Sequence, residues 1–399
     1  MGAPLDGLTV IDFSHALAGP YCTMLMAAYG ARVYKIEGVE TGDMGRTWGP
    51  PFVGGEAAYF LGINAGKRAV SIDLKHPRGL ALCRDLIARA DIVVENMRPG
   101  AMERLGLGYA AAAELNPRLV YCSISGYGQN GPSRDDAAMD LIMQAACGLV
   151  SVTGTPDGGL ARCGHSVADV TAGMFALIGT LMALRVREQT GRGQWVDVGM
   201  LDGMISAMAS NFAYFLGGGG VPGPLGTGFA TIVPYACFPT ADRPVAIAVA
   251  SEKLWLSFCR AVERPEWLTD ARLGTNPLRV KHRAWFEPEL SRVLQQRPSS
   301  EWVERFAAEG IPCSPVLDMA EVRALPQAAA RELFPVVEHP KAGRVAVTGL
   351  PVKMADVGEW PERAAPLKGQ HTEEALRELL GLGEAELAAL ARERVTLQA

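Results

Sequence analysis

Residues 8–37, LTVIDFSHALAGPYCTMLMAAYGARVYKIE, decide the fold because they place a strand, a helix and a second strand in succession. The two ends, 8–14 and 31–37, are rich in the apolar and β-branched residues of strands, and a helix-length segment at 20–30 separates them. Three later strings have the same strand composition: RAVSIDL at 68–74, DIVVEN at 91–96 and RLVYCSIS at 118–125. Because strands alternate with helix-length segments such as 77–90, we predict an α/β fold with a parallel sheet covered by helices on both faces.

The segments that follow these strands are candidate ligand-binding loops. Parallel sheets of this kind bind ligands beyond the carboxyl ends of their strands. Three such ends are DFSHALAGP at 12–20, VENMRPG at 94–100 and SISGYG at 123–128. We therefore expect a ligand site along this edge of the sheet.

The composition is that of an ordinary globular protein of about two domains. The chain has 399 residues, of which 49% are hydrophobic and 20% charged, and its net charge is −5. Such a mildly acidic chain offers no broad surface for nucleic acid or an anionic membrane, whereas a few local cations suffice for a small phosphorylated ligand. The longest apolar run, Val170–Leu184, is shorter than a membrane span and predicts a buried helix. The first residues carry no pattern of a secretory signal.

Cysteine and histidine spacings argue against disulfides and metal sites. The eight cysteines include no CxxC pair, which favours reduced thiols and a cytoplasmic location. The six histidines form no HExxH or comparable pattern, so we expect no metal ligands.

The second half of the chain changes character near residue 230. A Gly/Pro-rich segment, FLGGGGVPGPLGTGF at 215–229, precedes two strings that predict a β-hairpin, IVPYACF at 232–238 and PVAIAVA at 244–250. Helical patterns follow at 252–263, 284–296, 299–309 and 372–393. A second domain therefore begins near 230, and the glycines at 217–220 form either a flexible linker or a mobile lid over a site.

Two local motifs allow more than one interpretation. GYGQNG at 126–131 matches GxGxxG, but Pro132 follows at once and no strand ending in an acid stands about 20 residues on, so a nicotinamide or flavin site is a minor alternative. Asp169 is the one carboxylate in GHSVADVTAGMFALIGTLMAL at 164–184. It is either the N-cap of a long apolar helix or an acid made reactive by burial, and the two interpretations are compatible.

Longer strings resemble the type III CoA-transferase family, which includes formyl-CoA and succinyl-CoA-dependent transferases. They stand in the same order along nearly the whole chain: 5–37, NAGKRAVSIDLKHPRG at 64–79, ADIVVENMRPGAMERLGLGY at 90–109, NPRLVYCSISGYGQNGP at 116–132, TGRGQWVDVGMLD at 190–202 and KGQHTEEAL at 368–376. The resemblance implies an enzyme that moves CoA from an acyl-CoA to a free carboxylic acid. CoA is then a substrate, and no tightly bound cofactor is expected.

The resemblance also implies an architecture. It is a Rossmann-like large α/β domain built from both chain ends, with a smaller α+β domain, in an interlocked homodimer. The expected boundaries are 1–200 for the first part of the large domain, 201–229 for a linker with the Gly-rich loop, 230–320 for the small domain, and 321–399 for a linker and the returning C-terminal part.

By the same resemblance, Asp169 in VADVTAG is the nucleophile, which forms an aspartyl anhydride and then an aspartyl-CoA thioester. Trp48, Tyr59 and Asp140 are expected near the acyl site. The residues expected to contact CoA are Leu17, Ala18, Ile72, Asp73, Leu74, Lys75, Asn96, Met97, Arg98 and Arg104. Three of these are cations suited to the CoA phosphates, although each alone is typical of a solvated surface: Lys75, Arg98 and Arg104.

Departures from the family pattern bear on the substrate. Formyl-CoA transferases have glutamine, arginine and lysine where this chain has Leu17, Gly38 and Ala137, which argues against formyl-CoA and oxalate. RTWGPPFVGGEAAYFLGIN at 46–64 is closer to the branch that uses dicarboxylates such as succinate, glutarate or malate. Two alternatives remain: an α-methylacyl-CoA racemase-like epimerase, disfavoured because Met139 replaces the racemase histidine, and a CoA-binding protein without catalysis.

Overall fold

The structure, a computed structural model, describes residues 2–355 and 363–399. Its strands are β1 Thr9–Asp12, β2 Arg32–Glu37, β3 Phe52–Val53, β4 Glu56–Ala57, β5 Arg68–Ile72, β6 Ile92–Glu95, β7 Val120–Ser125, β8 Gly154–Thr155, β9 Gly159–Leu160, β10 Trp195–Gly199, β11 Tyr235–Phe238, β12 Val245–Ala248, β13 Cys313–Pro315, β14 Val336–His339, β15 Gly343–Ala346 and β16 Thr396–Leu397.

The α-helices are α1 Ala18–Ala28, α2 Ala58–Ile63, α3 Pro77–Ala88, α4 Ala101–Arg104, α5 Tyr109–Leu115, α6 Asp140–Ala146, α7 Leu149–Val152, α8 Val167–Thr190, α9 Met200–Ala207, α10 Ala209–Tyr214, α11 Glu252–Ala261, α12 Asn276–Lys281, α13 Arg283–Leu294, α14 Ser299–Ala308, α15 Met319–Ala324, α16 Pro326–Ala330, α17 Thr372–Leu380 and α18 Glu384–Arg392. Short 3-10 turns lie at Met44–Thr47 and Pro265–Leu268, and a π-helical turn lies at Phe215–Gly219.

A seven-stranded sheet organises the larger part of the chain. Its strand order is β10-β7-β6-β1-β2-β5-β16, and every neighbouring pair is parallel except β16, which runs antiparallel to β5. The central strands are buried along their whole length, as in β1, β6 and β7. Burial on both faces explains why these strands lack the regular alternation of apolar and polar residues found in strands with one face in water.

Helices cover both faces of this sheet. α1 and α8 pack on each other and on one face. On the other face, side chains of α3, α4, α5, α17 and α18 form a single apolar core with Ile11, Val70 and Tyr121 of the strands. The loops after β1, β6 and β7 therefore lie together at the carboxyl edge, where ligands of parallel sheets bind.

The predicted α/β class and the five predicted strands of the first half are confirmed. β10 and β16 were not predicted; β10 buries only its last two residues, and β16 has only two residues in all. The single helix predicted at 372–393 is wrong: the chain turns at 381–383 and forms α17 and α18 instead. GYGQNG is followed by turns rather than a helix, so it lacks the helix N-terminus of a dinucleotide site.

Helix α8 differs from the buried helix predicted at 170–184. It has 24 residues, and its most apolar 18-residue window is 44% buried, with a mean hydropathy of 1.8. It is long and apolar enough to cross a membrane by length and composition, which is weak evidence because core helices of globular proteins pass the same test. One side packs on α1 and β7, and apolar side chains such as Ile178 and Met182 are exposed on the other.

The chain divides into two compact units. The larger contains the residues up to Leu149, Arg162–Gly220 and those from Gln327 onwards, and the smaller contains Val150–Ala161 and Val221–Pro326. In the smaller unit the predicted hairpin is present as antiparallel β11 and β12, and β13 adds to β12. Its core combines aromatic side chains of α11, α13 and α14 with aliphatic side chains of the same helices and of β12. The expected domain boundaries at 200, 229 and 320, and the dimer, stay predictions.

Candidate active site

Asp169 occupies the third position of α8 and is not its N-cap. The N-cap is Ser166, whose side chain makes no capping hydrogen bond. The Asp169 side chain is half-buried, and no group in residues 2–355 or 363–399 donates a hydrogen bond to its carboxylate. The N-cap interpretation is therefore wrong, and this carboxylate has no structural hydrogen bond that would occupy it.

Asp140 performs the capping role instead. Its Oδ1 accepts a hydrogen bond from the backbone N–H of Ala168 at 2.9 Å, and its Oδ2 accepts one from Nε2 of Gln144 at 2.7 Å. Oε1 of Gln144 in turn accepts from the backbone N–H of Cys163 at 2.8 Å. Asp140 and Gln144 lie one turn apart on α6, so together they hold the segment that leads into α8.

Burial and a neighbouring charge make the Asp169 carboxyl a weak acid. Burial raises its pKa from 3.8 to about 7, and the negative charge of Asp140 contributes in the same direction. The first turn of α8 favours a negative charge, which opposes this effect in part. At neutral pH, a substantial fraction of the molecules therefore carries an Asp169 carboxylate without hydrogen-bond partners.

Tyr59 and Trp48 lie in the same neighbourhood. Their rings meet edge to face with centroids 5.0 Å apart. Burial raises the pKa of the Tyr59 hydroxyl above 10.0, and the charges of Asp169, Asp43 and Asp140 raise it further. The hydroxyl therefore stays protonated and can donate a hydrogen bond. The structure brings Tyr59, Asp140 and Asp169 within electrostatic range of one another, and their place at an acyl site stays a prediction.

The loop after β1 is held by two side chains. Asn96 accepts from the backbone N–H of His15 through Oδ1 and donates to the His15 carbonyl through Nδ2, both at 2.8 Å. Asp43 accepts from the backbone N–H of Ala16 at 3.1 Å. Ala16 has a φ of 63°, which is unfavourable for a residue with a Cβ. This loop positions Leu17, the N-cap of α1, and both polar atoms of the Asn96 carboxamide hydrogen-bond to its backbone.

A network of buried charges lies beneath this loop. Nζ of Lys35 is 2.7 Å from Oδ2 of Asp43, and Nζ of Lys67 is 3.1 Å from Oδ2 of Asp12. All four side chains are fully buried. Burial alone would raise the pKa of Asp12, but Lys67 and Lys35 lower it below its ordinary value. Sequence analysis missed these residues, although charges inside buried strings such as LTVID and RVYKIE are a signal that could have found them.

The residues expected to contact CoA lie on loops at the carboxyl edge of the sheet. Leu17–Ala18 follow β1, Asn96–Arg98 follow β6, and the Asn96–His15 hydrogen bonds join these two loops. Ile72–Lys75 lie at the end of β5, and within the described residues no hydrogen bond or ion pair joins them to the other two loops. Ile72 is completely buried and pairs with β16, so it offers no surface to a ligand in this arrangement.

The cations among these residues are available to an anion. Lys75, Arg98 and Arg104 are exposed. None of the three forms an ion pair with a carboxylate in the part of the chain that the structure describes. Arg104 ends the short helix α4, which follows the loop after β6.

Comparison with known proteins decides the family. The sequence model of CoA-transferase family III matches residues 5–372. The chain belongs to CoA-transferase family III.

Relatives of this CoA-transferase cover nearly its whole length. It is 34% identical over 377 residues to the human (Homo sapiens) succinyl-CoA:glutarate CoA-transferase, with 94% of this chain and 86% of the relative covered. It is 36% identical over 383 residues to acetyl-CoA:oxalate CoA-transferase of Acetobacter aceti, with 96% and 97% covered. The crystal structure of a CAIB/BAIF family protein from Brucella suis matches with a TM-score of 0.85 and 32% identity, over 95% of this chain and 100% of that chain.

These findings confirm the resemblance and the enzyme class. The relatives are named as transferases of CoA to dicarboxylates, so the racemase-like and inactive alternatives are not favoured. The roles of individual residues stay predictions.

Proposed function

We propose that this CoA-transferase moves CoA from an acyl-CoA to a short dicarboxylic acid, with Asp169 as the nucleophile. The observation that supports this most is the state of Asp169 in the first turn of α8, with a raised pKa and no described hydrogen-bond partner. A carboxylate whose water shell is partly removed, and which no donor stabilises, is a better nucleophile than one in bulk water.

The proposed reaction has two mirror-image halves. The Asp169 carboxylate attacks the thioester carbonyl of the donor, the C–S bond breaks, and the products are a mixed anhydride and CoA thiolate. The thiolate attacks the aspartyl carbonyl of the anhydride, which releases the donor acid and leaves an aspartyl-CoA thioester. The acceptor carboxylate then repeats these steps in reverse order, which gives the new acyl-CoA and restores the Asp169 carboxylate.

Neighbouring residues have complementary roles in this scheme. Asp140 positions the start of α8 through Ala168 and raises the pKa of Asp169. The protonated Tyr59 hydroxyl is suited to stabilise negative charge that develops on a substrate oxygen, as one hydrogen-bond donor of an oxyanion site does. The anhydride must be kept from water until the thiolate attacks it, so the scheme requires that water is excluded around Asp169.

The acceptor is proposed to be a dicarboxylate of succinate or glutarate size. Similarity to the enzyme named for succinyl-CoA and glutarate supports this choice, as does the string at 46–64 that contains Trp48. The relative named for acetyl-CoA and oxalate makes oxalate the competing acceptor. Leu17, which stands where formyl-CoA transferases have glutamine, argues against oxalate.

A homodimer is part of the proposal. Helix α8 exposes a row of apolar side chains along one face, at Met174, Ile178, Met182 and Val186, which follow one another at intervals of four residues. An exposed apolar face of this size is typical of a surface that binds another protein. We propose that this face of α8 binds the same face of α8 in a second copy of the chain.

Isotope transfer tests the central step. Acceptor acid labelled with ¹⁸O in its carboxylate is expected to transfer label to the Asp169 side chain during turnover, which mass spectrometry of the peptide detects. Asp169→Ala and Asp169→Asn are expected to lose activity against a panel of acyl-CoAs with oxalate, succinate and glutarate. Absence of label after many turnovers, or full activity of either variant, would overturn the role of Asp169. Exchange of the acyl α-hydrogen with solvent deuterium would instead indicate racemisation.

A further inference from the structure

Two arginines, one on a helix and one in a loop, lie close to Gly100. Gly100 lies in the loop between β6 and α4 with a φ of 81°, and a Cβ built on it would lie 3.1 Å from Nη1 of Arg104 and 3.5 Å from Nη2 of Arg134. Arg104 comes from α4, and Arg134 comes from the loop after β7. Because β6 and β7 are neighbouring parallel strands, both guanidinium groups lie at the carboxyl edge of the sheet.

Neighbouring carboxylates do not fully neutralise the positive charges of these two arginines. Arg104 has no carboxylate partner in the described residues, and Arg134 pairs only through Nη1 with its exposed neighbour Asp135, at 3.3 Å. Nη2 of Arg134, the nitrogen that faces Gly100, is not part of that ion pair. Arg98 adds a third exposed cation two residues before Gly100. Like charges brought together repel one another, so the arrangement favours an anion between them.

The Arg134 loop is also shaped to present this side chain. The backbone N–H of Arg134 bonds to the carbonyl of Gly131, and that of Asp136 bonds to the carbonyl of Ser133. These two turns give the segment a defined course along the edge of the sheet. The Arg134 side chain is about one-third exposed, so it can reach solvent and a ligand at once.

We propose that Arg134 binds a phosphate group of CoA together with Arg104. Nothing in the sequence assigned a role to Arg134, whereas the fork of five N–H donors on each guanidinium suits a phosphate with several acceptor oxygens. The proposal rests on the proposed function, because it takes acyl-CoA as the substrate. It adds a residue that selects the nucleotide end of that substrate without a part in the chemistry at Asp169.

Calorimetric titration of the whole protein with CoA, dephospho-CoA and pantetheine tests the proposal. Arg134→Gln is expected to weaken CoA binding about tenfold and to leave pantetheine binding unchanged, since a charge-assisted hydrogen bond to phosphate is lost. Arg134→Lys keeps the charge and is expected to restore part of the loss. The matched control is Arg192→Gln, because Arg192 is exposed, forms no described ion pair and precedes β10 at the amino edge of the sheet.

The three ligands also identify the phosphate. A loss confined to CoA assigns Arg134 to the 3′-phosphate, and a loss shared by dephospho-CoA assigns it to the diphosphate; both support the proposal. Steady-state kinetics should agree, with a higher KM for acyl-CoA and an unchanged kcat. Wild-type CoA affinity in Arg134→Gln, in a protein that transfers CoA, overturns this inference alone. Failure of the wild-type protein to bind CoA overturns the proposed function with it.

Discussion

Asp140 and Asp169 affect one another at the start of α8, and their roles differ because only Asp140 has hydrogen-bond partners. Asp140 accepts from Ala168 and Gln144, so its charge is compensated and its position fixed. Asp169 is left with burial and a nearby negative charge, both of which raise its pKa. Two carboxylates, one at the start of α6 and one in the first turn of α8, thus divide a structural and a chemical task between them.

The first prediction concerns stability. A carboxyl whose pKa is raised to about 7 in the folded state, from 3.8, stabilises the fold below pH 3.8 and loses that contribution as the pH rises to 7. Asp169→Asn removes the charge, so it is expected to increase the free energy of unfolding by about 1 kcal/mol at pH 8, after allowance for solvent screening. Urea denaturation at pH 4, 6 and 8 checks this. The same variant should lose more than about 1,000-fold in activity.

The second prediction concerns the pH profile. Asp140→Asn keeps an acceptor for the Ala168 N–H but removes the charge that raises the pKa of Asp169. The acidic limb of kcat/KM, expected near pH 7 in the wild type, should therefore move to lower pH. Asp136→Asn is the control, because Asp136 is exposed in the preceding loop. An unmoved limb in Asp140→Asn would show that its charge does not reach Asp169.

At the scale of elements, the close contact between α1 and α8 supports the site. A Cβ added at Gly173 of α8 would lie 2.6 Å from the carbonyl oxygen of Ala18, a backbone atom of α1. The two helices therefore approach each other closely, and this contact connects the first turn of α1 with the helix that carries Asp169.

The third prediction follows from that contact. Gly173→Ala should destabilise the protein by about 2 kcal/mol, because backbone rather than a movable side chain must shift. Gly62→Ala in α2 is the matched control, since nothing lies within 4 Å of its added Cβ, and it should be neutral or slightly stabilising. Thermal and urea unfolding of the two variants compare them. If the two variants are equally stable, α1 and α8 can move apart without a loss of stability, and the prediction is wrong.

The presence of a helix or strand was easier to predict from the sequence than the residues at which it begins and ends. Buried strands such as β1, β6 and β7 have apolar strings too short and too β-branched for anything else. β10 was missed although its string, WVDVG, contains the aromatic and β-branched residues of strands, and its parallel pairing with β7 reveals it. The start of α8 was misplaced because its cap comes from Asp140, 28 residues earlier in the chain, and no local pattern can report that contact.

At the scale of the whole molecule, the site depends on residues distant in sequence. Asp169 could be singled out from one string, because an isolated acid beside a long apolar run is unusual. The Lys67–Asp12 pairing could not, because it joins β1 to the segment before β5, and only the sheet brings these two together. The same holds for Arg134, whose relation to Arg104 depends on the neighbouring positions of β6 and β7.

The fourth prediction concerns assembly. If the exposed apolar face of α8 binds a second copy, Ile178→Glu with Met182→Glu should shift the protein from dimer to monomer in sedimentation experiments. Gln189→Glu, an exposed polar position on the same helix, should leave the assembly unchanged. A wild-type monomer would contradict the proposal directly.

The Asp140–Asp169 pair has a thermodynamic consequence for the catalytic cycle. Acylation of Asp169 would replace an ionised side chain by an uncharged one, and the repulsion from Asp140 would then vanish. This repulsion would therefore raise the free energy of the resting enzyme, and it would not raise that of the covalent adduct. The first half-reaction would begin from the state that the protein itself disfavours, and the adduct would gain persistence without any added contact.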